Sequence, residues 1–303
     1  MRRQPSRAFG ATEAPIYRRL VQPDAPKLLT LADAKESVAG VRANSLSHTM
    51  SLLESKGVLK RIGKGVYLNM STGVAPKIVD VIPWVFKNTR YYLGLNAIAN
   101  HWGLSPQIPY SYQAIYAPRN DAQLKRIASW CSMLKKVEKD LGGTLVPVVT
   151  RTSTVVDKGL SQSIIDGSQL PVSTIERTII DAVIYTKEIG GAGEALLWTR
   201  RALSKSIDYV ELEQVATRVY AQVNSVAARL GFLLETTLKD RQVHVERKVA
   251  VDKLVAKLEK LATKTRATYN WGPEKTSAEY FQKWHLRVST AYLKQLKEVS
   301  SFE

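Results

Sequence analysis

The sequence predicts an α+β chain in which a small N-terminal unit of helices, closed by a two-stranded ribbon, precedes a larger mixed α/β domain ending in helices. Three observations lead there. Residues 44–68, NSLSHTMSLLESKGVLKRIGKGVYL, read as one helix, a glycine stop and a tight hairpin. The 303 residues suffice for two domains, each with room for a core. Beyond a short linker, strand-like and helical runs mix until Gly190–Gly193, after which helical spacing dominates.

The hairpin-bearing stretch carries the functional reading. Asn44 or Ser45 can cap its helix by accepting a bond from a free first-turn amide. Leu46, Met50 and Leu53 recur at helical spacing and form an inward stripe, leaving Asn44, Ser47, His48 and Ser51 on the other face. Gly57 ends the helix, since glycine takes the left-handed conformation without penalty. Residues 58–62 and 66–68 then flank a turn at Gly63-Lys64-Gly65. Upstream, Pro15–Val21 begins a first helix with proline in its favoured first position, and Leu28–Ala39 reads as a second. Residues 40–43 are the turn that joins it to the third.

Helix, turn, helix, ribbon is the order of a winged helix-turn-helix, in which one helix enters the major groove and the ribbon touches phosphate. On that reading Arg42, Asn44, Ser45, Ser47, His48 and Ser51 face bases or nearby phosphates, while Lys60, Arg61 and Lys64 hold the backbone. A polar helix face is also what any solvated helix presents. The winged unit spans residues 1–70 and includes a basic arm with Arg2, Arg3 and Arg7, which is expected to be disordered. Ser71–Lys77 is the linker, and residues 78–303 form the second domain.

Bulk composition narrows the partners. At 45% hydrophobic and 23% charged, the chain is ordinary for a globular protein. A formal net charge of +17 is not, and it points to a polyanion, with nucleic acid the leading candidate. Cys131 is the one cysteine, and the four histidines lack a metal-binding spacing, so neither a disulfide nor a cofactor is expected. The basic start is not followed by an apolar segment, and no run approaches the roughly 20 apolar residues of a membrane span. A cytoplasmic chain with no membrane partner is expected.

In the second domain, Leu95–Trp102 reads as a short helix, Gln113–Tyr116 as a strand, and Gln123–Leu141 as a helix burying Ile127, Trp130, Leu134 and Val137. Pro147 makes Thr144–Arg151 an edge or bulged strand. In PVSTIERTIIDAV, Ser173 and Glu176 fit a capping box, and Arg177 and Asp181 fit a pair one turn apart. Asp208 and Glu211 offer a second box, and Asn224 can cap Ser225–Leu238. A helix from Val249 on turns Val251, Leu254, Val255, Leu258 and Leu261 inward and lines up Lys253, Lys257, Lys260 and Lys264 outside. Tyr269 and Trp271 read as loop, and a last helix buries Phe281, Trp284, Val288, Tyr292 and Leu296.

Taken in order, KGVLKRIGKGVYL, YYLGLNAIANHWGL, LPVSTIERTIIDAV and RLGFLLE resemble the AbiEi-type antitoxin regulators over roughly residues 15–240. The resemblance implies an N-terminal winged domain, a larger C-terminal α/β domain without catalysis, and autorepression through repeats in the chain's own promoter. It also implies a nucleotidyltransferase-like toxin encoded nearby and countered without a stable complex. The reading helix would be Asn44–Ser55 and the wing Leu59–Leu68; His101 and Gly103 match a signature taken as structural, with His101 a core histidine. Two alternatives remain from the residues themselves. One is a nuclease-like enzyme using Asp166 and Glu176 as metal carboxylates, although Arg177 stands where such sites commonly want lysine. The other is a basic module whose helices bind RNA or an acidic protein surface.

Overall fold

The structure, a computed structural model, describes residues 9–36, 43–73, 76–150, 157–205, 207–218, 223–239, 245–273 and 277–301. Along the chain the elements run α1 (Glu13–Leu20), β1 (Leu28–Thr30), α2 (Leu31–Glu36), α3 (Ala43–Ser55), β2 (Leu59–Gly63), β3 (Val66–Asn69) and α4 (Ile78–Val85). There follow β4 (Tyr91–Gly94), α5 (Leu95–His101), β5 (Ser111–Tyr116), α6 (Asp121–Lys135), β6 (Thr144–Val149), β7 (Leu160–Ile165), β8 (Ser168–Ser173) and α7 (Ile175–Ile184). The remainder is α8 (Ala192–Leu203), α9 (Tyr209–Arg218), α10 (Val223–Leu238), α11 (Val245–Ala262), β9 (Tyr269–Trp271), β10 (Ala278–Phe281), β11 (Leu286–Ser289) and α12 (Thr290–Ser301). The chain is mixed α+β, as its periodicities predict. No described helix is long and apolar enough to cross a membrane.

Two compact units divide the chain: residues 1–88 with 120–145, and residues 89–119 with 146–303. The linker at residues 71–77 is therefore not where the units part. Ile78 N–H donates to Leu141 O at 2.9 Å, α4 packs on α6, and α6 packs on β2, so residues 78–88 and 120–145 stay with the N-terminal elements. Ser71 itself is tied back, its hydroxyl donating to Leu20 O at 2.8 Å.

In the first unit, the predicted second helix at 28–39 is, over its described residues 28–36, a strand followed by a short helix. Leu28–Thr30 pairs antiparallel with β3, Leu28 opposite Leu68 and Thr30 opposite Val66, giving the sheet order β1-β3-β2. Leu28 and Leu29 are both buried, which a strand at a covered sheet edge permits. A capping box then starts α2: Asp33 Oδ2 accepts from Thr30 N–H at 2.7 Å, and Thr30 Oγ1 accepts from Asp33 N–H at 3.2 Å. The unit's core gathers Ile16 and Leu20 of α1, Leu46, Met50 and Leu53 of α3, and Val58, Leu59 and Tyr67 of the ribbon.

The second unit holds a five-stranded sheet of order β6-β5-β4-β8-β7, mixed because β4 runs antiparallel to β5 and parallel to β8. Strands β7 and β8 form a hairpin over Asp166-Gly167, both at positive φ. That is the geometry a two-residue Asp-Gly turn favours. Helix α7 is buried from Glu176 to Val183. Its cap is Thr174, whose Oγ1 accepts from Arg177 N–H at 3.3 Å, and not the expected Ser173, which ends β8 and bonds Thr178. Glu176 reaches across to accept from Asp208 N–H at 2.8 Å, and Asp208 Oδ1 in turn accepts from Val210 and Glu211 at 2.8 and 3.1 Å to cap α9. Asn224 is not a cap, since α10 has already begun at Val223.

The C-terminal end departs most from expectation. Tyr269–Trp271 is a strand, and the predicted last helix is a strand, a 3-10 turn, a second strand and only then α12. The three strands pair in the order β10-β11-β9. Trp284 lies in the 3-10 turn (Gln282–Trp284), 1% exposed, with its Nε1–H on Glu235 Oε2 at 2.7 Å. Its ring fills the notch that Gly231 leaves in α10; a Cβ at that glycine would fall within the ring's van der Waals envelope. Gly231→Ala is therefore expected to destabilise the second unit by about 1–3 kcal/mol through overpacking. The shift in urea midpoint measures it, and an unchanged midpoint would show that the ring moves aside freely.

Candidate nucleic-acid interface

Helix α3 and the β2–β3 ribbon present the candidate face. Leu46, Met50 and Leu53 are 2%, 0% and 0% exposed, so the rotation of α3 about its axis is fixed by burial. That rotation leaves Ser45, Ser47, His48 and Ser51 exposed. Thr49 is buried, its hydroxyl donating to Ser45 O at 2.9 Å. The helix begins at Ala43, one residue before the expected cap, so Asn44 and Ser45 lie in its first turn. Arg42 and the Asn44 side chain lie outside the described residues, as do the arm at residues 1–8 and the turn from 40 to 42.

Two devices hold the helix. Gly57 takes φ 66°, and Val58 N–H donates back to Leu53 O at 2.9 Å, closing the helix with a 6→1 bond. Lys56 binds both oxygens of Glu13 on α1 at 2.8 and 2.6 Å, and Glu13 also accepts from Gly10 N–H at 2.5 Å. The Lys56 hydrogen bond first, then the Gly10 amide, holds the Glu13 carboxyl below its ordinary value against the opposing effect of burial.

The ribbon is less uniform than its sequence suggests. Lys64 and Arg61 are exposed. Arg61 is partly tied down, with Nε–H donating to Gly63 O at 3.1 Å and its backbone N–H to Glu54 Oε1 at 3.2 Å. Lys60 forms an ion pair with Asp140 at 2.6 Å. Gly63 lies against the Met133 side chain of α6, which would have to shift to admit a side chain there. The contribution of α6 to this surface has no signal in the ribbon's own sequence.

Elsewhere the candidate metal carboxylates make hydrogen bonds within the fold. Asp166 sits in the hairpin turn, bonded by the Tyr112 hydroxyl, and Glu176 accepts from Asp208 N–H. Among the described residues no group of three or more His, Cys, Asp or Glu is placed to hold a metal. His101 is exposed and meets Trp102 edge-on, so it is not the core histidine expected; Trp102 does the anchoring, its Nε1–H on Ser173 O at 2.8 Å. Gly103 closes α5 at φ 65°. Arg177 and Asp181 pair at 2.8 Å with both side chains 0% exposed. Tyr92 completes the cluster, its hydroxyl accepting from Arg177 at 2.8 Å and donating to Asp181 at 3.0 Å. Burial first, then the Asp181 charge, pushes the Tyr92 phenol well above its ordinary value. On α11, Lys253, Lys257 and Lys260 are exposed, as is Lys264 just past its end, and Lys257 binds Glu213 at 2.6 Å.

No family profile and no curated protein sequence matches the chain. Among solved structures, the RV2827C protein from Mycobacterium tuberculosis is similar in fold, with a TM-score of 0.60 at 14% identity over 97% of this chain and 96% of that one. At that identity the likeness speaks to fold alone.

Two expectations follow from the buried charges. Glu13 has a lowered folded pKa, so its contribution is whole above the ordinary carboxylate range and is lost as pH falls through the folded value. Glu13→Gln should lower the melting temperature at neutral pH, with the gap to wild type closing in acid; a gap independent of pH would refute the linkage. Asp181→Ala strands the Arg177 charge and should cost about 3–5 kcal/mol. Replacing Arg177, Asp181 and Tyr92 together by Met, Leu and Phe should restore most of it, as read by chemical denaturation.

Proposed function

We propose that this chain is a DNA-binding transcriptional regulator that represses its own operon and serves as the antitoxin there. In this reading α2 and α3 are the two helices of a winged helix-turn-helix, α3 lies in the major groove, and β2–β3 is the wing. One observation carries it: α3 exposes Ser45, Ser47, His48 and Ser51 opposite its buried stripe, and the ribbon that follows exposes Arg61 and Lys64. The serine and histidine side chains can donate and accept at base edges, while the cations meet phosphate. A chain charge of +17 favours the same partner.

In this reading the ribbon's two lysines differ in how freely they reach phosphate. Lys64 is offered to a phosphate directly. Lys60 would have to exchange the Asp140 carboxylate for one, a half-exposed pair of the sort worth at most about 1 kcal/mol. The promoter repeats and the nucleotidyltransferase-like toxin come from the resemblance to AbiEi-type regulators. A toxin gene in the neighbouring reading frame, silenced in growth assays by co-expression of this chain, would support that half.

Fluorescence anisotropy on the upstream promoter and on a scrambled duplex tests the reading. Ser47→Ala and His48→Ala should each cost about 1–3 kcal/mol on the promoter and little on scrambled DNA. Lys64→Ala should weaken both duplexes alike and flatten the salt dependence by roughly one unit. Equal losses on the two duplexes for the helix variants would rule out base readout by α3.

A further inference from the structure

The three-stranded C-terminal sheet has an inner and an outer face. Trp271, Leu286 and Val288 point inward and are buried. Side chains alternate along a strand, so Arg287 of β11 points outward. It lies opposite Tyr280 of β10 in the antiparallel register and opposite Asn270 of β9 in the parallel one. The three exposed side chains thus form one row across the sheet, Tyr280 being 48% exposed. They line an open cavity of about 550 Å³, together with Ala278 and Ser289. This row takes no part in the α3 surface and lies beyond the residues that resemble a known family.

Its chemistry is specific. An exposed aromatic ring on a sheet offers a platform for an unstacked base, a guanidinium beside it suits the adjoining phosphate, and a carboxamide can donate to and accept from a base edge. Ser289, 3% exposed, lines the same cavity, and its hydroxyl accepts from Tyr292 N–H at 3.3 Å. The chain enters β9 from the cationic end of α11, where Lys260, Lys264 and Arg266 are exposed, so the approach is complementary to a polyanion. A base inside a duplex cannot present its face to Tyr280. We propose that the outer face of this sheet binds an unpaired nucleotide of a single-stranded nucleic acid, with Tyr280 stacking on the base, Arg287 on the phosphate and Asn270 at the base edge.

The test uses the full chain and a labelled single-stranded RNA in an anisotropy titration, with promoter duplex DNA measured in parallel. Tyr280→Leu should weaken RNA binding about tenfold, whereas Tyr280→Phe, which keeps the ring, should bind as wild type does. Arg287→Gln should weaken binding and lower the salt slope by roughly 0.7 for the lost phosphate contact. All three variants should leave duplex binding unchanged, which separates this site from the α3 surface. Unchanged RNA affinity in both Tyr280→Leu and Arg287→Gln would overturn the proposal. So would equal loss in the Leu and Phe variants, or displacement of RNA by poly-glutamate as readily as by unlabelled RNA.

Discussion

The burial of Leu46, Met50 and Leu53 is the constraint from which the N-terminal surface follows. Each side chain is almost wholly removed from water, which stabilises the packed helix by roughly 1.5–3 kcal/mol apiece. The hydrogen bonds on the opposite face are local, such as Ser51 Oγ to Ser47 O at 3.1 Å. A typical bond of that kind contributes only about 1 kcal/mol. Hydrophobic burial therefore decides the rotation of α3, and the polar residues face outward as a consequence. Their identity is then free to serve something other than folding. The same division governs the ribbon, where Leu59 and Tyr67 lock the strands while Arg61 and Lys64 are left to solvent.

Legibility in the sequence tracked how local each cause was. The inward stripe of α3, its stop at Gly57 and the hairpin beyond it depend on side-chain periodicity and on one left-handed glycine, and both are visible within a dozen residues. Residues 28–30 could not be read that way. Leu28 and Leu29 suit a helix as well as a strand, and the choice is made by β3, some forty residues on. The capping box at Thr30 and Asp33 was the available clue, because it sets a helix start that excludes residues 28–30.

The other misreadings have the same origin in most cases. Phe281, Trp284, Val288, Tyr292 and Leu296 fit helical spacing, yet the first three belong to a sheet and a turn. Pairing with β9 across an intervening stretch outweighs their local preference. At Asp166-Gly167 the signal is short-range, since Asp-Gly between two six-residue strands is a strong hairpin marker and gives Asp166 a turn role. Ser173 shows how little separates a cap from its neighbour. Either Ser173 or Thr174 could have begun α7, and the strand register of β8, which runs through Ser173, assigns the role to Thr174.

A chain carrying +17 repels itself, and folding is tolerable only where cations keep to solvent or find acids. Several do find acids: Lys56 with Glu13, Lys60 with Asp140, Lys257 with Glu213 and Lys283 with Glu235. The cations left facing solvent include Lys64 in the β2–β3 turn and Lys260, Lys264 and Arg266 on the approach to β9. These are the places where a bound polyanion would relieve the repulsion most directly. Binding at either surface should then stabilise the fold as well as occupy a site, because any ligand that prefers the folded chain adds its own free energy to stability. Under the proposed function, excess positive charge, a cost to the isolated chain, would couple its folding to the binding of a polyanion.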